Sequence, residues 1–593
     1  MRRAAPDNVP TMDRSANLAP AYHATLAVDP TKGGAPPARR PAVTGGTHVV
    51  SSGHYLASMV GLKILEAGGN AVDAGVAAGL ALGVVQSDLV NIAGVAPIMI
   101  RPARSGRVVT IDGLGVWPRA TDLDHFVVDC EGKIPAGVRR TVVPAAPAAW
   151  IAALARWGTM SFGDVAAGAI ELAHKGFAMH PLMAENIATF AEGYRRWPYN
   201  AAVYLPHGRP PKVGERFVQR DLAKSLRYMA DEERRARRRG RAAGLKAARD
   251  AFYRGDIARA IAAHQRANGG WLDERDLASY RVEIGAPARL RFRGTDIYTC
   301  GPWCQGPTLL QALAILDGFD LAALGHNSVD YVHVLAEALK LAFADRERHY
   351  TDPRFGRVPL ARLLSKGHAG RRRALLRMAE AWTEMPPAGA VGRGDPMPAL
   401  DTSYVAVVDR WGNAFSATPS DTSYNSPLVP GTGLCPSSRG SQSWAVRGHP
   451  AAALPGRRPR LTPNPAMAVR PGALVMPFGS PGGDVQSQAM LQTLLNVLVF
   501  GMDPQAAVEA PRFATFSFPN SFEPHQAFPG RLNLERALGA EMGAALAGRG
   551  HAIEWWQDGT WRAGGVCLVA KDVATGMIVG GADPRRPSYA AGW

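Results

Sequence analysis

The sequence predicts a mixed fold of helices and strands, of the α+β class. Hydrophobic residues make up 47% and charged residues 20% of the 593 positions, which is typical of a globular protein. Long segments with helical periodicity precede Leu400, whereas short β-prone runs dominate the sequence after it. We find neither a repeat of fixed period nor a heptad pattern, so the sequence does not indicate a solenoid or a coiled coil.

The first region of the chain, residues 1–45, is rich in Pro, Ala and Arg and lacks the continuous apolar segment of a secretion signal. We therefore expect a disordered tail on a cytoplasmic protein. The longest apolar segment further along, residues 74–85, contains glycine and is too short to cross a bilayer, so we expect no membrane segment.

Two helices are predicted next, with a stop at Gly68-Gly69 and a new start after Asn70. The second of them is apolar on nearly all faces, so it should be buried. A hairpin that turns at Ser105-Gly106 follows, and further amphipathic helices continue to about residue 350.

The sequence changes character around residue 400. Residues 381–399 are rich in Pro and Gly without periodicity, which indicates an exposed, mobile loop. Directly after Asp401-Thr402, residues 404–408 and Ala414–Ala417 are predicted to form a hairpin. Further on, "GSPGGD" separates a predicted strand from a long apolar helix, and a last hairpin closes the sheet.

The formal net charge of +17 raises the question of a nucleic-acid partner. The densest basic run, residues 234–250, follows three acidic residues and contains no interleaved aromatic side chains. We expect a solvated surface helix here and no specific nucleic-acid site. Non-specific attraction of a polyanion by this run is the alternative.

The five cysteines are odd in number and scattered, which fits a reducing compartment without a disulfide framework. Cys300 and Cys304 have CxxxC spacing, and neither a second pair nor a histidine lies nearby in the sequence. We therefore predict no metal site at this pair.

Thr402 could act as a nucleophile if the chain were cut before it. An internal threonine hydroxyl is a weak nucleophile, but an N-terminal threonine carries an α-amine that accepts the hydroxyl proton near neutral pH. A Pro/Gly-rich loop before the cut and a rigid strand after it would suit such a site. In "GSPGGD", the backbone N–H groups of Gly482 and Gly483 could approach an anion closely, although a tight turn explains the same glycines.

From about residue 47 to residue 583 the chain resembles the gamma-glutamyltransferase family of N-terminal nucleophile hydrolases. The resemblance is carried, in order, by "ILEAGGNAVDAGVAAGLALGVVQ", "VHVLAEALKLAFADRERHYTDP", "DTSYVAVVDRWGNAFS", "GSPGGD" and "MDPQAAVEAPRF". It implies a four-layer αββα sandwich and a precursor that cuts itself between Asp401 and Thr402. Residues 46–401 would form a mostly helical large subunit and residues 402–593 a strand-rich small subunit that begins with the catalytic threonine.

The resemblance also implies roles for individual residues. Thr402 would attack an amide carbonyl, with Ser420 orienting its hydroxyl. The N–H groups of Gly482 and Gly483 would hold the oxyanion, an interaction worth roughly 3 kcal/mol per donor. The resemblance implies that no metal or organic cofactor is needed. The partners implied are a small-molecule amide and the second subunit of the same precursor; a homo-oligomer is compatible with the sequence.

Four departures from the family pattern affect glutamate recognition. Leu114, in "IDGLGVWP", stands where the family has an arginine for the substrate carboxylate, and "NIAGVAPIM" replaces a glycine run. Gln442 stands near the position of the acid that binds the substrate amine. Thr462 and Pro463 replace a Ser-Ser pair, and Asn464 belongs to the same "TPNPAM" segment.

The forms "SSRG" and "TPNPAM" are more similar to the acylase and amidohydrolase branch of the family, including its oxamate amidohydrolase type. Arg439 is a candidate binder of a substrate carboxylate, although an exposed or structural arginine is the alternative. We therefore expect an amide hydrolase for a substrate other than a standard γ-glutamyl compound. A true γ-glutamyltransferase or glutathione hydrolase, or a non-catalytic or polyanion-binding relative, are the alternatives.

Overall fold

The computed structural model describes residues 38–387 and 402–593. Most of the expected tail (1–45), most of the expected mobile loop (381–399) and Asp401 of the expected cleavage site lie outside these ranges. Expectations about those segments therefore stay predictions.

Two seven-stranded sheets form the centre of the molecule. One has the order β1-β18-β17-β13-β12-β9-β8 and the other β19-β2-β10-β11-β3-β4-β7, with smaller sheets β14-β15-β16 and β5-β6 outside them. The strands are β1 Val43–Gly45, β2 Val49–Ser52, β3 Ile98–Arg101, β4 Val109–Ile111, β5 Phe177–Ala178, β6 Arg216–Phe217, β7 Ile284–Gly285, β8 Ala288–Phe292, β9 Thr295–Thr299, β10 Val405–Val408, β11 Ala414–Ala417, β12 Ala466–Arg470, β13 Leu474–Gly479, β14 Phe513–Thr515, β15 Arg531–Glu535, β16 Ala552–Trp556, β17 Cys567–Asp572, β18 Ile578–Ala582 and β19 Tyr589–Gly592.

Most helices precede Thr402, as the sequence predicts. They are Tyr55–Glu66, Ala71–Val85, Ala146–Trp157, Phe162–Lys175, Pro181–Thr189, Ala191–Arg195, Pro198–Tyr204, Arg220–Ala236, Arg241–Tyr253, Asp256–Ala267, Glu274–Ser279, Gly306–Leu316, Leu321–Leu324, Val329–His349, Leu360–Leu363 and Lys366–Arg373. After Thr402 come Val485–Leu498, Pro504–Glu509 and Ala540–Gly548. Among the described residues, none of the helices combines the length and the apolar character needed to cross a membrane.

The alternation of side chains along the strands builds four layers. Ala406 of β10 and Met467 of β12 belong to one buried cluster, which fills the space between the two large sheets. Val405 and Val407, on the opposite face of β10, pack into a second cluster with the helix Ala71–Val85. A third cluster joins the outer face of the other sheet to the helices Gly306–Leu316, Val329–His349 and Val485–Leu498. The architecture is thus the αββα sandwich of an α+β protein.

Each large sheet contains strands from both sides of Thr402. β10 pairs with β2 on one side and with β11 on the other, and β12 pairs with β9. A chain cut before Thr402 would therefore stay together, because its two parts share hydrogen-bonded sheets and all three buried clusters.

Several local predictions are confirmed. Asn70 caps the helix Ala71–Val85 with its side chain, and every residue of that helix is buried. Its close approach to the sheet depends on Gly75, because a Cβ at that position would lie 2.1 Å from the ring of Phe415. β3 and β4 form the predicted hairpin around Ser105-Gly106.

The basic run is helical but interrupted. The helix Arg220–Ala236 ends shortly before Gly240, and Arg241–Tyr253 continues from there. Arg234 and Arg235 are exposed and pair with Asp231 and Glu232 one turn earlier, so the first part is a solvated face. Acidic neighbours on the same helix offset its charge, and such exposed pairs add little stability.

Candidate active site

Thr402 and Ser420 meet because of the hairpin register. Val405 of β10 pairs with Ala417 of β11, so three residues further out Thr402 stands opposite Ser420. Their hydroxyl oxygens lie 2.7 Å apart, within hydrogen-bond distance. Two backbone bonds fix this end of the hairpin: Ser403 N–H donates to the carbonyl of Pro419, and Gly53 N–H donates to that of Tyr404.

The backbone of Thr402 is unusual. Its φ is +100°, a left-handed conformation that costs a β-branched residue of the order of 1–3 kcal/mol. Its side chain is fully buried. Its backbone nitrogen donates to the carbonyl of Leu89 at 3.4 Å. The structure therefore holds the residue after the expected cleavage point in a strained position.

A third polar group, Gln486, contacts the Thr402 hydroxyl at 3.2 Å. Both ends of the Gln486 amide are satisfied when Oε1 faces Thr402, because Nε2 then donates to the carbonyls of Ser480 and Thr462. In this orientation Thr402 donates to Gln486. Gln486 lies in the first turn of the helix Val485–Leu498, and nothing in the sequence singled it out.

Arg439 stands behind Ser420. Its Nη2 donates to the Ser420 oxygen at 2.5 Å, and its Nε lies 3.8 Å from Oδ2 of Asp421. Because a guanidinium can only donate, Ser420 accepts from Arg439 and can pass its own hydrogen to Thr402. Ser437 and Ser438 donate to the Asp421 carboxylate and hold it in place. A buried cation therefore lies one residue away from the Thr402 hydroxyl.

The glycine loop follows β13 and precedes the helix Val485–Leu498. Gly482 and Gly483 have φ of +118° and +57°, which glycine adopts without a steric penalty. None of the hydrogen bonds among residues 38–387 and 402–593 is donated by their N–H groups, whereas the Gly483 carbonyl accepts from Gln305 at 2.9 Å. The N–H groups at this helix N-terminus are thus available to an oxyanion.

A buried ion cluster braces this loop. Nη1 of Arg346 donates to Oδ1 of Asp484 at 2.5 Å and to Oε1 of Gln305 at 3.3 Å. Asp484 also accepts from the N–H of Ser521 at 2.7 Å. Since Asp484 directly follows Gly483, the bonds that hold Asp484 also restrain the glycine loop.

Glu347 extends this cluster and supports one prediction about pH. Burial raises the pKa of Glu347, but Arg460 and Arg346 outweigh burial and hold the pKa at about 2. A carboxylate with a lowered folded pKa stabilises the protein above its unfolded pKa of about 4.5 and loses that contribution as the pH falls toward 2.

We therefore expect the difference in unfolding free energy between wild type and Glu347→Gln to shrink by about 2 kcal/mol between pH 6 and pH 3. Urea titrations at the two pH values measure it. Glu131→Gln is the control, because the side chain of Glu131 is 85% exposed and its effect should stay near zero at both pH values. A Glu347→Gln difference that does not change with pH would contradict this explanation.

The remaining residues singled out by the sequence pack beside the site. Gln442 and Thr462 hydrogen-bond to each other at 2.8 Å, and Asn464 accepts from the N–H of Cys300 at 3.2 Å. Leu114 lies in a small buried apolar cluster with Val95, Cys300, Trp303, Cys304 and Leu461. All four are buried and contact other protein groups.

A cavity of about 420 Å³ adjoins this arrangement. Ser438 and Arg439 line one part of it, and the stacked rings of Phe190 and Tyr424, 3.9 Å apart, line another. Of the five residues expected to bind substrate, Arg439 lines this cavity, and Gln442, Thr462, Asn464 and Leu114 do not. Thr402 does not line the cavity. Its hydroxyl contacts Ser420, and Ser420 contacts Arg439, which lies in the cavity wall.

One group of side chains in the described ranges has the spacing of metal ligands. His333, Glu337 and His551 are buried, with potential ligand atoms within 4.8 Å of one another. The two imidazoles hydrogen-bond at 2.9 Å, and the ammonium of Lys340 donates to Glu337 at 2.7 Å. These hydrogen bonds show that the three side chains belong to a buried polar network.

Comparison with known proteins gives a consistent answer. The family model described as Gamma-glutamyltranspeptidase matches residues 57–593. The chain is 38% identical over 533 residues to the acylase ACY 1 proenzyme of Pseudomonas sp. (strain V22), covering 87% of this chain and 88% of that protein. It is 32% identical over 557 residues to the glutathione hydrolase-like YwrD proenzyme of Bacillus subtilis (strain 168), covering 93% and 99%.

A solved structure agrees with this result. The cephalosporin acylase from Bacillus halodurans superposes with a TM-score of 0.81 at 29% identity, covering 95% of this chain and 98% of that one. The expected fold of the N-terminal nucleophile hydrolase type is thereby confirmed. By its sequence over residues 57–593 and by its αββα architecture, this chain belongs to the gamma-glutamyltranspeptidase family.

Proposed function

We propose that the chain is a precursor that cuts itself between Asp401 and Thr402 and then hydrolyses an amide through an acyl-enzyme. The observation that carries the proposal is the contact of the Thr402 hydroxyl with Ser420, 2.7 Å away, beside the Arg439 guanidinium. Relatives described as proenzymes, among them the acylase ACY 1, support both the cut and the reaction class.

In the proposed first step, Thr402 Oγ attacks the carbonyl carbon of Asp401, and the peptide bond is replaced by an ester. Water then hydrolyses the ester and leaves Thr402 with a free α-amine. The positive φ of Thr402 favours this step, because the strain is released when the peptide bond breaks.

In the proposed reaction with substrate, the α-amine takes the hydroxyl proton while Oγ attacks the amide carbonyl. The N–H groups of Gly482 and Gly483 stabilise the oxyanion of the tetrahedral intermediate. The C–N bond then breaks, and the departing amine takes the proton from the α-ammonium. Water attacks the remaining acyl ester and restores the hydroxyl.

The substrate is proposed to be an acyl amide other than a γ-glutamyl compound. Leu114 occupies the position of the family's carboxylate-binding arginine and lies in an apolar cluster. A substrate carboxylate placed there would be desolvated without a cation, which costs several kcal/mol. Gln442, near the position of the acid for the substrate amine, is hydrogen-bonded to Thr462.

The test compares p-nitroanilides of several acids on wild type and on the Thr402→Ala variant. Wild type should hydrolyse at least one anilide without an α-amino group with a kcat/KM at least about 100-fold above that for γ-glutamyl p-nitroanilide, a discrimination of about 3 kcal/mol. A preference for the γ-glutamyl compound would favour a true glutamyl enzyme instead. If the Thr402→Ala variant hydrolysed the anilides as fast as wild type, Thr402 would not be the nucleophile.

A further inference from the structure

A second cavity, of about 320 Å³, lies outside the candidate active site. It shares no lining residue with the cavity beside Arg439. The end of the helix Val329–His349, the residues that follow this helix and residues 448–457 form its wall. No acidic residue lines it, whereas five basic ones do: Arg348, His349, Arg357, His449 and Arg457. Such a lining attracts an anion.

Arg457 is the most deeply buried of the three arginines, with 8% of its surface exposed. Its Nη1 donates to the carbonyl of Ala452 at 3.3 Å, and its Nε is buried without a hydrogen-bond partner among the described residues. Its guanidinium lies 4.9 Å from the centre of the Phe355 ring, a contact that does not satisfy its N–H donors. A buried cation in this state is costly, so a further partner would stabilise it.

Asp352 acts on the charge of Arg457, but other arginines bind this carboxylate. Asp352 accepts from Arg354 at 2.6 Å and from Arg458 at 3.3 Å. No ion pair joins Asp352 to Arg457 in the described ranges, and burial lowers the pKa of Arg457 despite the attraction of Asp352. The charge of Arg457 is therefore compensated only in part.

Arg348 and Arg357 add two exposed cations to the same wall. In the part of the chain that the structure describes, neither side chain forms an ion pair or a hydrogen bond. Three guanidinium groups thus line one space, and none of them is in an ion pair with a described carboxylate. Their mutual repulsion would be relieved by an anion placed between them.

His449 adds a neutral donor to the cavity. Its Nδ1 accepts from the N–H of Ala451 at 3.1 Å, so the ring hydrogen is on Nε2. Burial and the charge of Arg460 lower the pKa of His449 to about 3, so the ring is neutral at pH 7. Nε2 makes no hydrogen bond to another described residue and can donate to a ligand. Stacking on Trp444, with ring centres 4.3 Å apart, holds the ring in place.

These donors suit a phosphate group better than a single carboxylate. A phosphate dianion has two negative charges and accepts hydrogen bonds on several sides, so N–H groups that come from different directions can each meet an oxygen. The cavity is larger than a free phosphate ion needs. Phe355 and Leu454, which also line it, offer apolar surface for an organic substituent.

We propose that this cavity binds a phosphate group, either of a phosphorylated small molecule or of free phosphate. The donors would be Arg348, Arg357, Arg457 and Nε2 of His449. The bound dianion provides the counter-charge that the three arginines lack and hydrogen-bond acceptors for the buried one. This inference does not depend on the proposed amidohydrolase function, because the two cavities are separate.

The experiment measures the binding of phenyl phosphate and of inorganic phosphate by calorimetry at constant ionic strength, with phenol as the uncharged probe. Wild type should bind phenyl phosphate and should not bind phenol. Arg457→Met should weaken the binding of phenyl phosphate at least about 30-fold, because it removes a charged donor from a buried site. The double variant Arg348→Met/Arg357→Met, which changes only exposed side chains, should fold normally and weaken binding about tenfold.

Arg447→Met is the matched control. Arg447 lies directly before the cavity-lining residue Gly448, is exposed and pairs with Asp124, but does not line the cavity. Its replacement should change the affinity less than about twofold, because an exposed charge that does not contact the ligand is screened by salt.

Two further readouts separate specific binding from general effects. Phenyl phosphate should raise the urea midpoint of wild type, because it binds the folded state, and this rise should disappear in Arg457→Met. Thr402→Ala should bind phenyl phosphate as tightly as wild type. A failure of the proposed amidohydrolase function would therefore leave this site in place.

Tighter binding of phenyl phosphate than of inorganic phosphate would support the inference and identify a phosphorylated organic molecule as the ligand. Binding of inorganic phosphate that is equally tight or tighter would support it with free phosphate as the ligand. Binding of neither probe, or an equal loss in the Arg457, double and Arg447 variants, would overturn the inference. A lowered urea midpoint of Arg457→Met without ligand, together with unchanged binding in the double variant, would assign Arg457 a structural role and also overturn it.

Discussion

Replacing Thr402 by alanine is expected to reduce amide hydrolysis by at least about 10⁴-fold, because the substitution removes the attacking oxygen. The same variant should stay as a single chain, since the proposed self-cleavage uses the same oxygen. The hydroxyl is 2.7 Å from Ser420 and 3.2 Å from the Gln486 amide, so the substitution removes one of three hydrogen-bonded side chains. It creates little empty space, because the threonine side chain is small. Initial rates with the best p-nitroanilide and a denaturing gel measure the two effects.

Thr402→Ser is the matched control. It keeps the hydroxyl and, after cleavage, the α-amine, so cleavage and hydrolysis should persist at a reduced rate. The loss of the methyl group frees the hydroxyl to take other rotamers, which we expect to cost about tenfold in kcat. Full activity in the Thr402→Ala variant, or an inactive Thr402→Ser variant that is normally folded and cleaved, would contradict the assignment.

Arg346→Met is expected to lower the free energy of unfolding by about 3–5 kcal/mol, because it leaves the buried carboxylate of Asp484 without its cation and leaves Glu347 with Arg460 alone. Burial lowers the pKa of Arg346, but Asp484 and Glu347 outweigh burial and raise the pKa above its usual value. Their carboxylate oxygens lie 2.5 and 2.7 Å from its guanidinium. Urea unfolding measures the change.

Arg348→Met provides the comparison for this prediction. Arg348 lies on the same helix, two residues further on, but is exposed, so its replacement should change the unfolding free energy by less than about 0.5 kcal/mol. At low temperature the Arg346→Met variant should be less active than wild type, and the loss should appear in kcat. The reason is that Arg346 holds Asp484 and Gln305, which position the glycine loop. Equal stability of the two variants would contradict the proposed brace.

The sequence predicted best the features that depend on local pattern. The hairpin of β10 and β11 follows from a continuous apolar, β-prone run and a five-residue turn, and its register brings Ser420 to Thr402. The strand, glycine loop and helix around Gly482 and Gly483 follow from an apolar run before the glycines and a longer one after them. The positions of such elements are set by residues close together in the chain.

Contacts between distant segments were not predictable in this way. Gln486 and Thr402 are separated by 84 residues. The brace from Arg346 to Asp484 spans 138 residues. Nothing in the composition near Arg346 distinguishes it from the many surface arginines of this basic chain, because its burial is a property of the folded molecule.

The orientations of four further side chains were not predictable from the sequence either: Gln442, Thr462, Asn464 and Leu114. The resemblance placed them at recognition positions, and the structure places them in buried contacts next to the site but away from the cavity wall. A position in a motif does not specify which way a side chain points. A substitution at such a position can change which neighbouring residues are accessible to a substrate.

The central claim is that Thr402 becomes an N-terminal residue and carries the acyl group. Intact-mass measurement of purified wild type tests it most directly, before and after incubation with a slowly hydrolysed anilide. The account predicts two chains, one of which begins at Thr402 and gains the mass of the acyl group on its N-terminal peptide. A single uncut chain under native conditions, a fragment that begins at another residue, or an acyl group on another residue would contradict it.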